Sequence, residues 1–196
     1  MTDAVIKTDK HVPVEPAFWV LIFGDLIAFS IMFIAFMVRR FESVATYEVF
    51  LQGSQALNQF IGICNTLILL TSSFFIARAL ILYRLGHPGS SRKSIVYGVM
   101  CGLAFITLKL YEYFEKINQN ITVTSDRFFE FYFTFTGVHL MHVIIGVILL
   151  VIITRKIDHQ TKENTFNYSF LEGVACYWHM VDLLWIMLFA LFYLLF

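Results

Sequence analysis

Charge is scarce in this 196-residue chain and evenly balanced: fourteen Lys or Arg stand against fourteen Asp or Glu, together 14% of the residues. With no surplus of either sign, nothing points to a nucleic-acid partner or an acidic substrate. Cysteine is nearly absent too. Cys64, Cys101 and Cys176 lie inside apolar runs, show no C-x-x-C spacing and are odd in number, so they read as small buried apolar side chains and not as a disulfide framework. No internal repeat, low-complexity segment or pair of Gly/Pro-broken helices occurs, which argues against a small transporter that uses intramembrane charges as an ion path.

What fills the chain instead is hydrocarbon. Fifty-nine per cent of the residues are hydrophobic and the mean hydropathy is +0.74, outside the balance of a soluble domain. A helix needs about 20 apolar residues to cross a bilayer core. Five segments meet that length, at 17–38, 60–83, 94–115, 128–154 and 171–196. The predicted fold is therefore all-α: an integral membrane bundle of five transmembrane helices, with a polar N-terminal segment at 1–16 and a single membrane domain at 17–196. The first apolar run is too long for a signal-peptide core and has no small-residue cleavage site behind it, so it is expected to stay as the first span.

The basic residues set the direction. Lys7, Lys10, Arg84, Arg92, Lys93, Arg155, Lys156 and Lys162 fall on the side of the N-terminus, against Arg39, Arg40, Lys116 and Arg127 opposite. The N-terminus is expected in the cytoplasm and the C-terminus outside. Within the third span, Gly98-x-x-x-Gly102 is a pattern at which another helix can approach closely.

Ionisable side chains inside the hydrocarbon cost several kcal/mol unless paired, so each one calls for a partner or a purpose. Here they are Asp25, Arg78, Lys109, Glu112, His139, His142, Glu172, His179 and Asp182. His139 and His142 share a helical stripe, as do Glu172, Cys176, His179 and Asp182. At 1.5 Å per residue, Asp25 lies roughly 12 Å from the inner end of its helix and His179 at a similar depth, with His142 arriving from the other side, so the three are expected to meet at one level. Glu112 belongs to a second set nearer the outer face, with Lys109 one turn before it. Three readings of the cluster stand side by side: ligands of a metal or b-type haem at His139, His142 and His179, histidine and carboxylate hydrogen bonds that join helices, or a proton-active carboxylate. The first lacks the repeated Glu-x-x-His of a di-metal bundle.

Two stretches are specific. Thr136-Gly137-Val138-His139-Leu140-Met141-His142-Val143, with Gly146 behind it, resembles the T-G-x-H-x-x-H-V-x-x-G signature of haem-copper oxidase subunit III. Glu172 through Trp185, containing Tyr177-Trp178-His179-Met180-Val181-Asp182, resembles that family's E-x-x-x-x-Y-W-H-x-V-D-x-x-W signature. Glu112-Tyr113 and Asn65-Thr66 fit its E-Y and N-T pairs, in order along the chain. The resemblance implies a core accessory subunit of a respiratory oxidoreductase in a bacterial inner membrane, without haem, copper or other metal of its own. Haem and metal would reside in the partner catalytic subunit I; subunit II or a cytochrome c subunit would be further partners, and phospholipid would bind between helices. It also implies that the subunit sustains proton uptake and working life during turnover, with Asp25 at the position of the family's membrane-buried carboxylate.

The chain departs from the longer members in two ways. They have two further spans before the first one here, which form a wall of the lipid cleft, and they carry glutamate where this chain has the shorter Asp25. Five-span members accompany either oxygen-reducing oxidases or nitric oxide reductases. Gly24-Asp25-Leu26, the run from Asn65 to Ser73 and the run from Trp178 to Leu183 resemble the second group more closely. The alternative of another class remains an independent membrane protein with haem or metal on the buried histidines.

Overall fold

The computed structural model describes residues 16–160 and 168–194. All but Pro16 of the cytoplasmic segment expected at 1–16, Lys162 in the last connection and the terminal Phe196 lie outside the described residues. Six helices follow one another: α1 (Pro16–Arg40), α2 (Val44–Gln55), α3 (Gln59–Arg84), α4 (Pro88–Asn118), α5 (Arg127–Gln160) and α6 (Tyr168–Phe189), which runs into a π-helical turn at Ala190–Leu194. All but α2 are long and apolar enough to cross a membrane, with spans of 23 to 31 residues. The fold is thus the predicted five-helix membrane bundle, and α2 is an added short helix in the connection between the first two spans.

Local chemistry sets the helix ends. Ser43 caps α2 by accepting from the Thr46 amide, and Asn58 caps α3 by accepting from the amides of Phe60 and Ile61. Pro88 starts α4 in its first turn, where a missing N–H costs nothing. The Asp126 carboxylate accepts from the Phe129 amide at the start of α5. The tight turn between α3 and α4 passes through Gly86 at φ +79, a left-handed conformation that favours glycine.

α6 is the central helix. In its most apolar window 67% of the residues are buried, against 17% for α1, whose Val20, Phe23, Ile27, Ile31, Ile34 and Val38 face outward as lipid-facing residues do. Around α6 stand α3, α4 and α5, with α1 laid on the α5/α6 side. Small residues let these helices close up. A Cβ on Gly98 would meet Ile76 Cδ1 at 2.7 Å, and the Ser72 hydroxyl donates to the Gly98 carbonyl at 2.9 Å. Trp178 lies between two glycines: added Cβ atoms would meet its ring at 2.9 Å from Gly102 and 2.7 Å from Gly146. Where α1 ends, Phe36, Phe50, Phe131, Phe135 and Phe192 pack in edge-to-face and tilted pairs and fasten α1 and α2 to α5 and the terminal turn.

Candidate functional site

The ionisable residues of the spans placed below fall, among the described residues, into five separate neighbourhoods. In the half of the bundle where α1 begins, Asp25 of α1 reaches His142 of α5, with Oδ1 3.3 Å from Nε2. The other ring nitrogen, Nδ1, lies 2.7 Å from the Val138 carbonyl. A carbonyl only accepts, so Nδ1 carries a hydrogen, and a hydrogen bond between Nε2 and the carboxyl then needs one further proton. A proton on either group would complete such a bond. Side-chain exposures of 22% for Asp25 and 10% for His142 place it at the edge of the bundle.

His179 does not join that pair. Its Nδ1 lies 2.5 Å from the Ser73 hydroxyl of α3. One turn on, Asp182 is buried beside the same Ser73. His139 faces inward, edge-on to Phe105 and 5.3 Å from the Trp185 ring, fully buried with both nitrogens unpartnered. The three histidines therefore point to three different neighbourhoods. Among the described residues no group of three or more His, Cys, Asp or Glu is arranged to hold a metal ion.

The outer set is closed on itself. Lys109 and Glu112 have side chains that are 0% exposed, and the ammonium donates to Glu112 at 3.0 Å, to the Tyr132 hydroxyl at 2.9 Å and to the Tyr193 hydroxyl at 3.1 Å. An ammonium has three N–H donors, and all three are used. Tyr193 in turn donates to the second Glu112 oxygen at 2.6 Å. The rings of Trp185, Tyr113, Tyr132 and Tyr193 surround the cation at 4.7 to 5.6 Å from their centroids. At the inner end, Glu172 accepts from Arg84 at 2.5 Å, and Arg84 also donates to the Tyr168 hydroxyl.

The sequence pattern signals Lys109 with Glu112 and Asp25 with His142. It misses Ser73, Arg84, Tyr132 and Tyr193. Serines and tyrosines are unremarkable in membrane helices, and Tyr193 lies 84 positions from Lys109, so no local spacing connects them. The expected meeting of His179 with Asp25 is replaced by the Ser73 contact because His179 leaves α6 on the side that carries α3, whereas α1 packs on the side of Gly173, where an added Cβ would meet the Phe18 ring at 2.6 Å.

Comparison with known proteins identifies the family. The family model "Cytochrome c oxidase subunit III" matches residues 9–195. The heme-copper oxidase subunit I+III of Aeropyrum pernix is 24% identical over 183 residues, covering 92% of this chain and 22% of that protein. The cytochrome bo(3) ubiquinol oxidase subunit 3 of Buchnera aphidicola subsp. Schizaphis graminum is 25% identical over 90% of each chain. The cytochrome c oxidase subunit 3 of Branchiostoma lanceolatum is 33% identical over 72% of this chain and 53% of its own length. A family match over nearly all of the sequence, on a bundle whose helices carry the matching motifs in order, identifies the chain as a member of the cytochrome c oxidase subunit III family.

Proposed function

We propose that this chain is a non-catalytic accessory subunit of a haem-copper respiratory oxidoreductase in a bacterial inner membrane, oriented with its N-terminus in the cytoplasm. Its partner is the catalytic subunit I, which holds the haem and metal; subunit II or a cytochrome c subunit completes the complex, and phospholipid fills the spaces between helices. The observation that carries this reading is the family match over residues 9–195. The Aeropyrum relative, whose name joins subunits I and III, supports subunit I as the neighbour. The internal arrangement of the histidines favours the same reading over an independent haem or metal protein, because His142 is turned to Asp25 and His179 to Ser73.

In this role Asp25 and His142 supply a proton-holding position about 14 Å from the start of α1, near the inner half of the bilayer. A carboxyl beside an imidazole at the bundle edge suits support of proton uptake by a neighbouring catalytic subunit. The relatives named act on cytochrome c or ubiquinol, which favours oxygen as the terminal acceptor. The likeness of Gly24-Asp25-Leu26 and of the Asn65 to Ser73 run to the nitric-oxide-reductase-associated branch supports nitric oxide as a second reading.

Purification in mild detergent through a tag on this chain, followed by an optical spectrum, identification of co-purified chains and turnover with oxygen or nitric oxide, tests the reading. A haem-bearing catalytic subunit beside a haem-free tagged chain is the expected result. A lone chain that carries haem or metal itself would overturn it.

A further inference from the structure

The most buried helix of the bundle has one open face. Along α6, Cys176, His179, Leu183, Ile186 and Met187 are the half-buried or exposed positions between Leu171 and Phe189, while the rest are buried. At about 100° per residue these five fall within an arc of roughly 100°, a single stripe along the helix. α1 flanks the stripe on one side through Phe18 on Gly173, and α3 on the other through Ser73 and Thr66, which meet His179 and Trp185. The stripe is thus the floor of a groove between α1 and α3.

One atom in that groove is out of place for lipid. His179 lies about 16 Å along the axis from the first residue of α6, near the middle of the span. Its Nδ1 is engaged by Ser73, but Nε2 has no hydrogen-bond partner among the described residues, and it is not among the buried unpartnered atoms, so it opens onto the groove. In either tautomer Nε2 is a donor or an acceptor. Acyl chains offer neither, and polar groups at this depth turn to protein. The lipid-facing stripe of α1, by contrast, presents Val20, Ile27, Ile31, Ile34 and Val38.

We infer that the α1/α6/α3 groove is the docking surface for a transmembrane helix of the catalytic subunit, one that brings a hydroxyl, amide or backbone carbonyl to His179 at mid-membrane depth. The inference rests on the accessory-subunit reading and assigns its interface. Leu183, Ile186 and Met187 supply the apolar contact, and His179 supplies the single polar contact that fixes the depth of the incoming helix.

The test uses the intact complex. A photo-reactive amino acid is placed at position 183 or 186 in the groove, and at 103 on α4 or 148 on α5 as controls of similar exposure, 51% and 42% against 50% and 53%. The groove positions are expected to cross-link to the catalytic subunit and the controls to lipid. Cross-linking of the groove positions to lipid alone, or of the catalytic subunit from 103 or 148, overturns the assignment. In parallel, His179→Phe is expected to lower the catalytic subunit recovered with the tagged chain about threefold to tenfold, the range that one interhelical polar contact supports, while Leu103→Phe leaves it unchanged. Should His179→Phe fail to fold, the cross-links still decide. A wild-type chain that brings no haem-bearing subunit with it defeats the accessory reading itself, whereas a subunit that co-purifies but cross-links elsewhere defeats only the groove.

Discussion

The two ends of the bundle treat buried charge in opposite ways. In the half where α1 and α4 end, Lys109, Glu112, Tyr132 and Tyr193 form a sealed set in which the cation has three acceptors and the carboxylate accepts at both oxygens. In the other half, Asp25 Oδ1 lies 3.3 Å from His142 Nε2 at the bundle edge, Asp25 Oδ2 has no partner among the described residues, His179 opens onto a groove and Asp182 is buried beside Ser73. A fully satisfied network resists change and holds α4, α5 and the terminal turn in one register. A partly satisfied one leaves capacity for a proton or for another chain, and function is expected where the capacity is.

Breaking the sealed set gives the largest expected effect. Lys109→Met leaves Glu112 as an uncompensated buried charge and should destabilise the protein by about 3–5 kcal/mol, while the pair Lys109→Met with Glu112→Leu should recover most of the loss. Thermal unfolding in detergent of the two single variants and the double variant checks this; a single variant as stable as the wild type would remove the contrast. Next comes the packing between the two regions. Gly146→Val drives a branched side chain into the Trp178 ring and should cost about 1–3 kcal/mol in the same assay.

The inner pair should behave differently. Asp25→Ala is expected to change unfolding by only about 0.6 kcal/mol, the average of a membrane hydrogen bond. It should nevertheless weaken assembly or shorten the working life of the complex, followed as turnovers completed before activity is lost. A change in stability without a change in working life would make Asp25 a packing residue. A small effect of the opposite sign is predicted at Asn65, which is fully buried with neither end of its amide partnered among the described residues. Asn65→Leu is nearly isosteric and removes an uncompensated polar group, so stability should hold or rise slightly, by up to about 1 kcal/mol.

Much of the architecture was legible because solvent dictates it. Runs of apolar residues at 17–38 or 128–154 have no stable home in water, and α1 and α5 are where those runs lie. The i, i+3 pairing of Lys109 with Glu112 was equally readable, since one turn of helix puts both on one face. Gly98 and Gly102 were readable as small residues, but not their neighbours: Ile76 and Trp178 come from other helices. The shared stripe of His139 and His142 concealed a divergence, for the first turns to Phe105 and Trp185 and the second to Asp25.

The sequence by itself determined that the chain lives in a bilayer, how many times it can cross, and which ionisable groups must find partners there, because the cost of exposing apolar surface to water or charge to hydrocarbon is a property of each segment alone. The tertiary structure decided which partner each group takes. Ser73 holds His179, Tyr193 reaches back to Lys109, and α6 is left open between α1 and α3. Those choices depend on how helices rotate and cross, which is set by side-chain packing between segments that are distant in the chain and invisible to any one of them.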